Sequence, residues 1–310
     1  MSGFAFLFPG QGSQSVGMLS QAAEHYAVVG DTFAEASDAL GYDLWALVSQ
    51  GPEGQLTLTE FTQPAILTAS VSLYRCWEQV GGPSPEFVAG HSLGEYSALV
   101  VAGALSLKDA ARLVQIRGRA MQSAVPAGEG AMAAILGAEE TVVDEIVAEA
   151  GSAGVIQFAN DNAPGQIVVS GAAAAVDLAI EAAKARGIRR AIKLPVSAPF
   201  HCEMMQPAAD AMAAALAGAD MKDSADPVFC NVAAPPESNA DALRANLVTQ
   251  VTGRVRWRET LLAAQAAGVT AFVEIGTGKV LSGLVKRTLE DVGIANLDGA
   301  DDLDSVLAHL

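Results

Sequence analysis

Four apolar or small residues, Phe87–Gly90, run straight into Gly90-His91-Ser92-Leu93-Gly94, and residues 93–102 continue with helical character. No other stretch narrows the choice of fold as much. A helix that follows a strand without a linker must cross back over the sheet, which predicts a parallel α/β unit. The flanking glycines let the chain turn abruptly and leave the Ser92 hydroxyl exposed at the bend. The helix start aims the Leu93 amide and the positive end of the helix dipole at the place where an oxyanion would form. A bare GxSxG is a weak pattern. Between a strand and a helix it reads as a nucleophile, with a plain glycine-rich turn as the alternative.

The rest of the chain can be arranged around this unit. Its 310 residues allow about two domains at roughly 100–200 residues each. With 51% apolar and 17% charged residues it has material for a large core and too little charge for a disordered protein. Residues 4–8 read as a buried strand, stopped by Pro9, Gly10 and Gly12. Helical periodicity runs over 32–40 and 64–80, with Pro64 near the start of the second run and Gly81-Gly82 at its end. Between about 130 and 195 the pattern changes to strand 131–136, helix 139–150, strand 155–159, a turn at 160–165, strand 166–170, an alanine-rich helix 172–186 and strand 189–194. The order βαββαβ is ferredoxin-like. Helices at 204–216, 241–251, 258–267 and 280–289 and strands at 228–232 and 271–275 then restore the first pattern. The expected fold is α/β: an α/β-hydrolase-like core with a parallel sheet, built from 1–125 and 196–310, and an inserted ferredoxin-like small domain at 126–195.

Lys and Arg number 18 against 35 Asp and Glu, a net charge of −17. Such a chain is a poor general binder of nucleic acid or anionic membrane. Basic residues are nevertheless clustered. Lys184, Arg186, Arg189, Arg190 and Lys193 fall close together, as do Lys279, Lys286 and Arg287. The apolar stretch 98–105, broken by Gly103, is far short of the roughly 20 residues that span a bilayer. The opening MSGFAFLFPGQG lacks the basic region of a signal peptide. Cys76, Cys202 and Cys230 make no disulfide framework, and without CxxC or HExxH no metal is expected. The expected location is the cytoplasm.

A serine nucleophile needs a base. His25 sits in a polar helix, His309 is next to the last residue, and His91 adjoins the serine and must diverge from it. His201, in Ser197-Ala198-Pro199-Phe200-His201, is the base by elimination; a helix-start histidine without a catalytic role is the other reading. Cys202 is a rival nucleophile with no second histidine nearby to activate it. Arg117 lies at the edge of the apolar stripe of a helical run, 107–122. An inward arginine requires a carboxylate or a set of acceptors, so it is either half of a structural ion pair or a binding site for an anion. Two glycine-rich stretches, Gly10-Gln11-Gly12-Ser13-Gln14-Ser15 and Gly276-Thr277-Gly278-Lys279, lack the spacing of a phosphate-binding loop.

Taken together, Gly10-Gln11-Gly12-Ser13-Gln14, Gly90-His91-Ser92-Leu93-Gly94-Glu95-Tyr96, Arg117, Ser197-Ala198-Pro199-Phe200-His201 and Gln250 resemble the malonyl-CoA:acyl-carrier-protein transacylase family of fatty-acid synthesis. The resemblance spans nearly the whole chain and implies a ping-pong acyl transfer without a cofactor. It implies Ser92 as the acylated nucleophile and His201 as its base, with the imidazole oriented by the backbone carbonyl of Gln250. It implies the Gln11 and Leu93 amides as the oxyanion hole, and Arg117, with Gln250 beside it, as the malonyl-binding group. The Ser-x-Pro-Phe-His form is that of malonyl rather than methylmalonyl enzymes. The partners implied are malonyl-CoA and acyl carrier protein, whose acidity makes Arg189, Arg190, Lys286 and Arg287 the expected docking residues. An acyltransferase of polyketide synthesis, a serine thioesterase or hydrolase, and a non-catalytic docking protein of the same fold are the competing readings.

Overall fold

The short apolar run near the start becomes β1 (Gly3–Phe8), and its residues are buried on both sides. Phe6 and Phe8 pack into one core with Val88 and Val273, while Ala5 and Leu7 pack into another with Ala89 and Phe272. A strand covered on both faces reads as a continuous apolar run, which is why no alternation marks it. The computed structural model describes residues 3–309 except Ser197 and Ala234. Among these, the further strands are β2 (Phe87–Gly90), β3 (Gly130–Leu136), β4 (Ile156–Ala163), β5 (Gln166–Ala172), β6 (Arg190–Lys193), β7 (Val228–Phe229), β8 (Val269–Ile275) and β9 (Gly293–Leu297).

They form two sheets, so the fold is mixed α/β. The first is parallel, in the order β7-β2-β1-β8-β9; the second is antiparallel, in the order β4-β5-β3-β6. The second sheet packs against helices Glu140–Ala150 and Ala173–Ala185 around its own core of Ile135, Val143, Ile146, Val169 and Val176. In the parallel sheet, Phe8 is in register with Gly90. The Gly10–Gln14 loop and the Gly90–Gly94 bend therefore leave neighbouring strands side by side at their carboxyl ends, where open α/β sheets place their ligands.

Two expectations are corrected. Pro64 lies inside the helix Thr59–Gln79 rather than near its start. The first turns of that helix are buried at Thr59, Thr62 and Gln63, and this tertiary burial outweighs the hydrogen bond the proline removes. Most of the expected turn at 160–165 is strand: β4 continues to Ala163 and the chain reverses only at Pro164-Gly165, where Gly165 has φ 67°. The polar stretch stays extended because it has partners on both sides. It pairs with β5, and it bridges to the segment at Val255, where the Asp161 amide donates to the Val255 carbonyl (2.9 Å) and the Val255 amide to Ala159 (2.8 Å).

Ion pairs reinforce the same bridge between β4 and the segment that leads into helix Trp257–Ala266. The fully buried Asp161 carboxylate accepts from Arg254 (2.9 Å) and Arg258 (2.8 Å), and Glu140 accepts from the same two arginines (2.8 and 2.6 Å). Of the four only Asp161 is cut off from water, so it is the Asp161 charge that depends on the two arginines and would be left uncompensated by their loss.

Candidate active site

Ser92 occupies the bend after β2 with φ 52°, in the left-handed region. A non-glycine residue held there costs on the order of 1–3 kcal/mol, which the surrounding contacts must offset. Two of those contacts act on its backbone. The Ser92 amide donates to Asn231 Oδ1 (2.6 Å), and its carbonyl accepts from Gln250 Nε2 (2.9 Å). The flanking glycines serve close approach rather than unusual torsion. A Cβ on Gly90 would lie 1.9 Å from the Gly94 carbonyl carbon, and one on Gly94 would lie 2.1 Å from the Phe8 carbonyl oxygen.

His201 meets the serine from a loop 109 residues further on, with Nε2 2.8 Å from Ser92 Oγ and Nδ1 2.9 Å from the Gln250 carbonyl oxygen. The carbonyl can only accept, so it holds the proton on Nδ1 and leaves Nε2 free to receive the serine proton. Burial, reinforced by the nearby Arg117 charge, lowers the His201 pKa from 6.5 to about 3. The imidazole is therefore neutral at pH 7, the form a general base needs. His201 also has a positive φ, 60°. Ser197, which opens its motif, lies outside the described residues.

Arg117 projects from helix Leu107–Ser123 into the same place. Its Nη2 donates to Ser92 Oγ (3.1 Å) and Gln250 Oε1 (2.8 Å), and its Nη1 to Gln63 Oε1 (3.1 Å). The side chain is 1% exposed, its Nε has no partner, and no carboxylate lies within 4.0 Å of it among the described residues. The structural ion pair allowed by the sequence is thus absent there. All three acceptors are neutral, so the guanidinium keeps its charge without a direct counter-ion.

The remaining residues fall into place around this centre. The backbone N–H groups of Gln11 and Leu93 donate to no protein acceptor among the described residues, and both residues line a pocket of about 140 Å³ with Ser92, Arg117 and His201. Its other walls include Met121, Met132 and Phe200, which keep the space around the serine apolar. His91 borders the same pocket but makes no bond to Ser92: it bonds Asn162 Oδ1 (2.8 Å) and packs edge-on to Trp257. Cys202 is buried, with its thiol directed to the Pro199 carbonyl. His25 is tied to Gln21 of its own helix, away from the site. Arg189, Arg190, Lys286 and Arg287 are exposed and none lines the pocket.

Sequence reasoning missed Gln63, Asn231 and the part played by Glu95. Asn231 hides in the short run 228–232, where a polar residue amid apolar neighbours was the available signal. Its Nδ2 donates to the Gly90 carbonyl (2.6 Å) while its amide donates to Glu95 Oε2 (3.0 Å), and the same Oε2 accepts from Gln250 Nε2 (2.8 Å).

A strained serine on a nucleophile elbow, a buried neutral histidine and a cation aimed at the serine define a Ser–His acyl-transfer class in which one end of the acyl group is anionic. The chain belongs to the acyl transferase domain family, which matches residues 5–305, and within it to the malonyl CoA-acyl carrier protein transacylases. It is 51% identical over 298 residues to the malonyl CoA-acyl carrier protein transacylase of Escherichia coli K12, covering 96% of each chain. Its structure is similar to that of the malonyl CoA-acyl carrier protein transacylase of Coxiella burnetii, with a TM-score of 0.98 and 45% identity over 100% of this chain and 98% of that one. It is equally similar to a malonyl-transacylase solved in complex with a type II polyketide-synthase acyl-carrier protein, with a TM-score of 0.97 and 47% identity over 100% of both chains.

Proposed function

We propose that this chain moves malonyl from malonyl-CoA to the phosphopantetheine thiol of acyl carrier protein, supplying the elongation unit of fatty-acid synthesis. The observation that carries the reading is Arg117: a buried guanidinium with neutral acceptors only, 3.1 Å from Ser92 Oγ, calls for an anionic acyl group. In the first half-reaction His201 Nε2 takes the Ser92 proton while Oγ attacks the thioester carbon. The Gln11 and Leu93 amides hold the oxyanion, and Arg117 holds the distal carboxylate. The thiolate of CoA then leaves with the proton from His201. In the second half-reaction the carrier thiol gives its proton to His201, and its sulfur attacks the malonyl-serine carbonyl. Ser92 leaves and recovers its proton. A thioester is already activated, so this chemistry requires no cofactor. The apolar pocket walls disfavour a hydrolytic water. Gln250 acts at both ends, orienting His201 through its carbonyl and Arg117 through its amide.

In this reading the parallel sheet is an α/β-hydrolase-like core of residues 1–125 and 196–310, and the antiparallel sheet at 126–195 is a ferredoxin-like unit. The enzyme works in the cytoplasm. No described helix is long and apolar enough to cross a membrane. The test is release of CoA from malonyl-CoA with and without holo-acyl carrier protein. Transfer to the carrier should exceed hydrolysis by orders of magnitude; release at the same rate with water alone would make the protein a hydrolase.

Carrier docking is assigned to Arg189, Arg190, Lys286 and Arg287. A second cleft of about 240 Å³ shares Gln11, His91 and Asn160 with the acyl pocket and is bounded by Gln166. Arg287 donates to Gln166 (2.8 Å), which sets it beside that cleft; Lys286, one residue before it, lines a separate surface pocket with Lys279 and Gly283. Opposite charge on a partner accelerates encounter and is weakened by salt. Reversing Arg190 and Lys286 to Glu should raise the carrier KM and flatten its salt dependence, with malonyl-CoA self-acylation as the control. A KM unchanged across salt would remove the assignment.

A further inference from the structure

Glu95 is a buried acid for which the transfer mechanism has no step. It stands in the first turn of helix Gly94–Val101, 1% exposed. Its Oε2 accepts from the Asn231 amide (3.0 Å) and from Gln250 Nε2 (2.8 Å), and these two residues clamp the Ser92 backbone. The other amide atom of Gln250, Oε1, accepts from Arg117 (2.8 Å). One side-chain amide thus joins the carboxylate to the guanidinium without letting them touch. Glu95 Oε1 is buried and has no hydrogen-bond partner. The titratable or charged neighbours of Glu95 are Arg117 from helix Leu107–Ser123, Cys230 from the segment after β7, and Tyr96 from its own helix. Burial raises the pKa of both Cys230 and Tyr96, so both stay neutral. Arg117 is the only one that carries charge.

We propose that Glu95 is the counter-charge of Arg117 in the empty site and takes up a proton when an acyl carboxylate arrives there, so that malonyl loading is coupled to protonation of the enzyme and acetyl loading is not. The inference rests on the reading that Arg117 binds the malonyl carboxylate. With the site empty, one buried cation faces one buried anion across Gln250. A malonyl carboxylate at Arg117 makes two anions share one cation in a region shielded from water. Two carboxylates so placed cannot both stay ionised at low cost. The malonate is held by the guanidinium directly, whereas Glu95 has one unpartnered oxygen, so Oε1 receives the proton, which comes from solvent. Burial already pushes the Glu95 carboxyl up to about 7, with the Asn231, Gln250 and Cys230 donors and, after them, the Arg117 charge opposing the rise. A second anion moves it higher.

The sign follows. Below about pH 7 Glu95 is neutral in both states and malonyl binding costs no proton. Above it, each malonyl bound takes up one proton, so the ratio of malonyl to acetyl self-acylation should fall with rising pH, by up to about tenfold per unit. His201 and the CoA groups are common to both substrates and cancel in the ratio. Self-acylation kcat/KM should be measured for malonyl-CoA and acetyl-CoA from acid to alkaline pH by rapid quench and intact mass. Proton uptake should be followed in parallel with an indicator in weak buffer at about pH 8. The wild-type ratio should fall, and the uptake with malonyl-CoA should exceed that with acetyl-CoA by up to one proton per serine loaded. In Glu95→Gln, which keeps an acceptor for Asn231 and Gln250 but cannot ionise, the ratio should become flat and the excess uptake should vanish, whatever the absolute rates. The wild-type proton count needs no variant to fold. A flat wild-type ratio, no excess uptake, or a slope that survives in Glu95→Gln overturns the proposal. An Arg117→Ala enzyme that still loses malonyl selectively shows the failure to be that of Glu95 alone; a parallel loss of both acyl groups overturns the Arg117 reading and this inference with it.

Discussion

Mixed with malonyl-CoA, the wild-type chain should gain one malonyl group, and Ser92→Ala should gain none. Among the described residues no other hydroxyl has Ser92's combination of a base at 2.8 Å, a cation at 3.1 Å and a backbone clamped through both its amide and its carbonyl. Alanine accepts the same backbone, so loss of the adduct would report the oxygen rather than the fold. His201→Ala should still fold and still bind malonyl-CoA, but acylation should slow by roughly 10²–10⁴-fold, the usual worth of a positioned general base. The oxyanion donors and Arg117 would remain, which sets a floor above the uncatalysed rate. Intact mass against time, with melting temperature on the same samples, checks all three proteins. A stoichiometric adduct on Ser92→Ala at native speed would show that the nucleophile lies elsewhere. An unchanged rate in His201→Ala would remove the base.

Arg117→Ala should invert the malonyl-to-acetyl preference. Removing one partner of a buried charge pair costs about 3–5 kcal/mol. At about 1.36 kcal/mol per factor of ten, that is roughly a 10²- to 10⁴-fold loss of kcat/KM for malonyl-CoA. Acetyl-CoA has no carboxylate and should lose little. Its residual change reports the hydrogen bond from Arg117 Nη2 to Ser92 Oγ and the Gln250 contact. Arg117→Lys should rescue only in part, because lysine keeps the charge but cannot span Gln63 and Gln250 as the planar fork does. If the arginine were a structural element alone, both acyl groups would fall together and the melting temperature would drop. Both substrates and thermal stability measured on one preparation separate the two results, and a parallel fall with destabilisation would end the carboxylate assignment.

Much of this could be read from the chain because the relevant physics is local. Phe87–Gly90 is the observed strand, and the bend that follows it is confined to a few residues with a glycine on each side. Helices with a clear apolar stripe, such as Glu140–Ala150, came within a residue of their expected bounds. Where local preference met long-range burial, it lost. Pro64 sits inside a helix whose first turns are buried, and Asn160 to Ala163, rich in turn formers, stay extended because the segment at Val255 supplies a second partner. Strand β9 went unseen because its short, mixed run Gly293–Leu297 becomes a strand only beside β8.

The sequence by itself determined the elbow and its serine, the parallel α/β unit that carries them, the placing of Arg117 near an apolar face and the βαββαβ order of the inserted stretch. Each of these follows from residues a few positions apart, within reach of a single turn or a single helical period. Only the tertiary structure decided the partners. Ser92 and His201 are separated by 109 residues, Arg117 and Gln250 by 133, and Glu95 and Asn231 by 136. No periodicity reaches across such distances. Packing of the helices and loops at the carboxyl ends of β1 and β2 brings these groups within hydrogen-bond range, and their burial there makes His201 neutral and leaves Arg117 without a direct counter-ion. Burial is a property of the assembled core, so the charge states on which the chemistry depends exist only once the chain has folded.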